Sequence, residues 1–116
     1  WPSSDGRFEV NFNGQDLSSA AVKLLAQILG DLQGLHSVQL RLDKTGLGDA
    51  ELTELSKPLA EQKDLTELKL ALYHNHITSE GVKALAAALT EMKGLARLEL
   101  SLRYNNITSE DVAALT

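Results

Sequence analysis

The sequence predicts an α/β solenoid of about four strand–turn–helix units, with a parallel β-sheet on one side and helices on the other. Three observations predict it. A shift of thirty residues brings the apolar positions of the 116-residue chain into register four times. Within each unit the apolar spacing changes from two, the period of a strand, to three or four, one face of a helix. A single unit of this kind cannot bury both its strand face and its helix stripe, so neighbouring units must stack to make a core.

The first strand column reads Phe8, Val38, Leu68, Leu98; the next, two residues on, reads Val10, Leu40, Leu70, Leu100; the third reads Phe12, Leu42, Leu72, Leu102. Strands are therefore expected at 7–12, 37–42, 67–72 and 97–102. Leu17, Leu47, Ile77 and Ile107 mark the turns, and the columns headed by Val22, Leu25 and Leu29 carry the helices, expected near 19–32, 49–62, 79–92 and from 109 onward. Ser19, Asp49, Ser79 and Ser109 stand where N-caps belong, because a short side-chain oxygen can accept a free first-turn N–H. Gly34 and Gly94 suit the left-handed position that closes a helix. Pro58 lacks a backbone donor and should kink or shorten the second helix. Strands separated by a helix run parallel, with a right-handed crossover.

At this length the chain is a single domain, 1–116, with repeats at about 5–34, 35–64, 65–94 and 95–116. Aromatic residues are only 4% of the chain, so the core must be aliphatic. The net charge of −5 comes without a basic cluster, which argues against a nucleic-acid partner because phosphate neutralisation needs grouped cations. No run of about 18 apolar residues is present to insert in a membrane. The absence of cysteine excludes disulfides and thiolate metal sites and leaves the redox compartment open, with a cytoplasmic setting favoured.

The segment Leu65-x-x-Leu68-x-Leu70-x-Leu72-x-x-Asn75-x-Ile77 resembles a leucine-rich repeat, and the helical half resembles the ribonuclease-inhibitor subtype. The resemblance runs over roughly 7–116. Relative to the usual LxxLxLxxNxL, two residues are added before the Asn, which contributes Leu72 and Leu102. Gln15 and Thr45 occupy the Asn position in the first two units, so the inward-turned asparagine ladder is expected only at Asn75 and Asn105. Gly46 and Gly48 should loosen the second turn.

Residues between the leucine columns point to the opposite face of the sheet. They form the ladders Arg7–Ser37–Glu67–Arg97, Glu9–Gln39–Lys69–Glu99, Asn11–Arg41–Ala71–Ser101 and Asn13–Asp43–Tyr73–Arg103. The resemblance makes this the concave, partner-binding face. These positions vary from unit to unit while the core columns barely change, as expected for recognition on a fixed scaffold. The residues assigned to partner contact are Arg41, Lys69, Tyr73, Arg97, Glu99 and Arg103, with Tyr104 beside them; Tyr and Arg are the types most enriched at interface hot spots. Glu67 with Arg97 and Lys69 with Glu99 also read as plain cross-strand charge pairs on a solvated face.

Catalytic motifs are absent: there is no GxSxG elbow, Walker loop or HExxH helix, and Gly46-Leu47-Gly48 lacks the third glycine of a dinucleotide fingerprint. His74 and His76 flank Asn75 but lack a third ligand, so no metal or cofactor is assigned. Asn106-Ile107-Thr108 is a formal glycosylation acceptor in a turn expected to pack into the repeat. The ends carry one more expectation. Trp1 is a minimal lid for the first unit, and the last unit leaves Leu102, Ile107, Val112 and Leu115 without a neighbour. The chain therefore reads as a piece of something longer, or as a subunit whose open apolar ends contact another chain. The predicted function is a non-catalytic protein–protein interaction module; the alternative is a structural subunit held in a large assembly.

Overall fold

The computed structural model describes residues 6–113. Four strands alternate with four helices: β1 Arg7–Asn11, α1 Ser19–Asp31, β2 Ser37–Arg41, α2 Asp49–Ala60, β3 Glu67–Ala71, α3 Ser79–Glu91, β4 Arg97–Ser101 and α4 Ser109–Ala113. The sheet is parallel in the order β1-β2-β3-β4. Every pairing joins a residue to the one thirty positions later, from Phe8↔Val38 to Leu70↔Leu100. Each strand is one residue shorter than expected, yet the backbone ladder continues: Phe12, Leu42 and Leu72 donate to Arg41, Ala71 and Ser101 at 2.8–2.9 Å.

One continuous core forms between the leucine face of the sheet and the apolar stripes of the helices. Leu40, Leu42, Leu68 and Leu72 are fully buried, as are Leu29 and Leu59 from the helices. Each such side chain removed from water contributes about 1.5–3 kcal/mol. The columns are not uniform along the solenoid. Leu98 on the edge strand β4 is 39% exposed where Leu68 is sealed, and Leu100, Leu102 and Ile107 are half-buried, because a core made by stacking is complete only where a unit has neighbours on both sides. Trp1 and Leu115 lie outside the described residues.

The helix starts correct the expected caps by one residue. The N-caps are Ser18, Gly48 and Thr78, and the Ser18 and Thr78 hydroxyls accept from Ala21 N and Glu80 N. Gly48 has no side chain to cap with; instead its own N–H donates to Glu51 at 2.8 Å. The residues expected as caps reach across to the next unit. Asp49 accepts from Thr78 N at 2.8 Å, from Gly81 N at 3.1 Å and from the Thr78 hydroxyl, so it caps α3 rather than its own helix. Ser79 likewise donates to Asp111 at 2.8 Å. That bond and the Thr108 backbone N–H, the larger cause, hold the Asp111 carboxyl below its usual range. At the other helix end, the buried Gln62 amide donates to Leu29 O and Leu32 O at 2.8 and 2.7 Å, satisfying carbonyls at the end of α1. Gly34 is left-handed at φ 73° but does not close the helix, since α1 ends at Asp31 with Leu32 as an extended C-cap, and Gly94 is not left-handed. Pro58 has a mild effect: α2 has 12 residues where α1 and α3 have 13, and the ring is buried against the space left by Gly30. The second turn is tied rather than loose, with Thr45 buried beneath it.

Asp49 explains a glycine inside α3. A Cβ built at Gly81 would sit 2.5 Å from Asp49 Oδ1 and 3.1 Å from Ile77 Cγ2. Helix propensity alone favours Gly81→Ala by about 1 kcal/mol. The clash reverses the sign, and Gly81→Ala is expected to destabilise by about 1–3 kcal/mol. Asp49→Ala should also destabilise, by leaving first-turn donors unpaired. The double variant should lose less than the sum of the two, because Asp49→Ala removes the oxygen that a Cβ at position 81 would strike. Urea unfolding of the four proteins checks this; additive losses would show that the two residues do not compete for one space.

Candidate functional site

The four outward ladders are aligned as read, residue opposite residue, across β1 to β4. The first two ladders are laced by polar contacts. Ser37 Oγ donates to Glu67 at 2.9 Å, and Arg97 lies 3.3 Å from the same carboxylate. The Glu67 carboxyl is lowered from its usual range, first by the Ser37 hydrogen bond and then by the nearby Lys69 and Arg97 charges. Lys69 Nζ stands 3.8 Å from Glu99. Both charge pairs are exposed enough to add little to stability. They do leave Arg97 and Glu99 on the surface, in reach of another molecule.

The third ladder is shallow at one end. Arg41 is exposed, and with the Gln39 amide turned over to match its surroundings, the amide oxygen accepts from Arg41 Nε and Nη2 at 2.8 and 3.0 Å. Its neighbours Ala71 and Ser101 are small, and they open a depression of about 330 Å³ on the sheet, walled by Arg41, Asp43, Lys69 and Glu99.

The fourth ladder divides into two jobs. Asn13 Oδ1 accepts from Asp43 N at 2.9 Å, and Asp43 Oδ1 accepts from Tyr73 N at 2.8 Å. These two side chains therefore satisfy backbone donors of the next unit instead of facing a partner unbound. Tyr73 cannot continue that series. Its ring is half-buried and meets Tyr104 edge-on at 5.2 Å, with the His74 ring at 6.1 Å and Lys44 Nζ 5.9 Å above it. Tyr73 is thus less outward than expected, and Tyr104, 66% exposed, presents more aromatic surface. Arg103 is exposed beside them.

This rim has an unusual backbone. Gly14, Lys44, His74 and Tyr104 occupy one register position, and all four have φ between 56° and 79°. Gly14, Lys44 and His74 use that turn to donate to Asp43, Tyr73 and Arg103 carbonyls at 2.8–2.9 Å, while Tyr104 adopts it with no such bond among the described residues, so stacking exploits the turn rather than imposing it. Only the glycine adopts it without steric cost. The hint in the sequence is Gly14 in a column otherwise filled by large side chains.

Between the sheet and the helices, Asn75 and Asn105 turn inward as the resemblance implied. Asn75 Oδ1 accepts from Thr45 N and Leu47 N, both at 3.0 Å, and its Nδ2 donates to Leu42 O at 2.9 Å. Asn105 accepts from Ile77 N and donates to Leu72 O. Thr45 substitutes for an Asn with its hydroxyl 2.9 Å from Leu42 O. Gln62 and Asp49 were not foreseen as inter-unit ties. Gln62 was visible as the polar member of the column Leu32–Gln62–Met92, and Asp49 as the charged member of a serine column. Asn106, in the sequon, has an exposed side chain, while its N–H donates to Ile77 O. Among the described residues no cluster of His, Cys, Asp and Glu is arranged to hold a metal ion, and no helix is long and apolar enough to cross a membrane.

A parallel sheet backed by helices, held by inward asparagines and presenting a mixed polar outer face, is the architecture of a leucine-rich-repeat solenoid. Residues 64–86 and 98–115 match the family model described as Leucine Rich repeat, which supports that family for the chain. No curated protein matches the chain by sequence. Among solved structures the chain is similar to Leiomodin-1 Actin-Binding Site 2 (ABS2), with a TM-score of 0.72 and 22% identity over 92% of this chain and 60% of that one. The chain thus spans about 60% of that structure's length, and at this identity the likeness concerns the fold.

Proposed function

We propose that the chain is a non-catalytic protein-binding module of about four leucine-rich repeats, of the ribonuclease-inhibitor-like kind, in which Arg41, Lys69, Tyr73, Arg97, Glu99 and Arg103 contact the partner. The observation that carries this reading is the outward strand face itself. It sets the long cationic side chains of Arg41 and Lys69, with Glu99, around a shallow depression on a backbone already ordered by the ladder, so little backbone entropy remains to be lost on binding. The thirty-residue register of all four strands supports four repeats, although the family model matches only the segments within the third and fourth units. Leucine-rich repeats generally serve protein recognition and are typically without catalysis. The likeness to a leiomodin-1 actin-binding site makes actin the first partner to test.

Native pull-down with mass spectrometry identifies the partner, and an affinity series then maps the face. Tyr73→Ala and Arg103→Ala are expected to weaken binding by more than about 1 kcal/mol each. Lys23→Ala and Lys83→Ala lie on exposed helix positions, Lys83 beside Glu80 at 3.7 Å, and should be nearly neutral. Normal binding by the strand-face variants, with loss in a helix variant, would overturn the assignment.

A second reading, a subunit fixed in a larger assembly, is favoured by one feature. Between β1 and α1 an apolar cleft of about 180 Å³ is lined by Phe8, Val10, Phe12, Leu24, Leu25 and Ile28, and Leu24 is 58% exposed. Size in solution separates the two: a stoichiometric complex that collapses on Leu24→Glu supports the subunit, and a stable monomer supports the free module.

A further inference from the structure

We propose that the rim of the sheet at Lys44, Tyr73, Arg103 and Tyr104 takes an acidic segment of a protein partner. The inference rests on the strand-face reading and narrows it to one edge and one chemistry. In a chain of net charge −5, this edge sets Lys44 and Arg103 beside three aromatic rings, Lys44 Nζ 5.9 Å from the Tyr73 ring, with Arg41 exposed on the adjoining ladder. The nearby carboxylate, Asp43, already has one oxygen engaged by Tyr73 N. Lys69 and Arg97, by contrast, face Glu99 and Glu67 within 4 Å, which makes the lower part of the face electrically balanced. The positive excess therefore sits at the rim, where exposed Tyr104 and Arg103 offer an aromatic edge and a planar fork suited to carboxylates. Three cations beside an acidic residue are too few to track a phosphate backbone, and the edge lacks the apolar wedge of a membrane surface.

The backbone supplies an independent argument. Lys44, His74 and Tyr104 hold the left-handed conformation where the first unit has Gly14. Three of the four units use the turn for the inter-unit bond, and glycine makes that bond equally well at Gly14, so the turn does not call for the large side chains. Large side chains kept where glycine fits best are the pattern of a surface shaped for contact.

The test is an NMR titration of the full chain with a hexaglutamate peptide, beside hexalysine and an oligothymidylate of equal length. Hexaglutamate is expected to shift the amides of Lys44, Tyr73, Arg103 and Tyr104, and the shift should fade as salt is raised. Lys44→Gln with Arg103→Gln should weaken that binding about tenfold, two exposed charges at about 0.7 kcal/mol each, while Lys23→Gln with Lys83→Gln leaves it unchanged. Tyr104→Gly provides a variant that keeps the turn and should fold at least as well by thermal melt, yet bind more weakly. Shifts confined to the helices, tighter binding of hexalysine or of the oligonucleotide, or an unchanged affinity in the Lys44 and Arg103 variant would overturn the proposal. The broader reading fails separately: a native partner lost on Tyr73→Ala that shows no preference for acidic segments refutes only the chemistry named here, and a partner indifferent to all strand-face variants refutes both.

Discussion

Leu70→Ala is expected to lower the unfolding free energy by about 2–5 kcal/mol, and Lys69→Ala, its chain neighbour, by about 0.5 kcal/mol or less. Leu70 is 3% exposed on β3, with Leu40 and Leu100 opposite it on the flanking strands. Truncation removes its transfer free energy and leaves a void that two adjoining units cannot close without moving the ladder. The Lys69 side chain is on the other face, 34% exposed, and its ion pair with Glu99 is long. Position along the solenoid should matter as well. Leu98→Ala is expected to cost clearly less than Leu68→Ala, because Leu98 keeps 39% of its surface in water and Leu68 none. Urea unfolding of the four variants provides the ranking; a larger loss for Lys69 than for Leu70 would mean the faces are inverted.

Asn75→Leu is expected to cost about 3 kcal/mol, the upper part of the range for buried groups left unpaired. The substitution removes a carboxamide that is 6% exposed and replaces it with a side chain of similar size. Thr45 N and Leu47 N then lose their shared acceptor in a turn closed to solvent, while Leu42 O retains the Thr45 hydroxyl. Asn105→Leu should cost less, because its amide is half-buried and accepts a single backbone N–H, from Ile77. Equal stability of Asn75→Leu and the parent protein would show that water reaches this turn.

The contrast between the two asparagines shows what a sequence column can and cannot convey. Both were legible as inward side chains from one motif. The fourth unit's open end, legible in Leu102 and Ile107, already implied that Asn105 would be the less covered of the two; how much less was not legible. Leu98 likewise shares its column with Leu68 but not its environment, and the degree of its exposure was set by packing alone. The outer face was legible as four ladders because strand alternation is a local rule. Its division of labour was not: Asn13 and Asp43 are committed to backbone donors of the next unit, and Tyr73 turns toward Tyr104.

The sequence by itself determined the unit, its thirty-residue period, the parallel register and the two faces of the sheet, because these follow from apolar spacing along the chain. Only the tertiary structure decided the ties between units: Asp49 at the start of α3, Gln62 at the end of α1, and the left-handed turn through which Gly14, Lys44 and His74 bond to the next unit. The reason is physical. Spacing records which side chains must leave water, whereas a hydrogen bond between residues about thirty apart depends on the distance and angle that stacking creates, and those exist only once the units are packed.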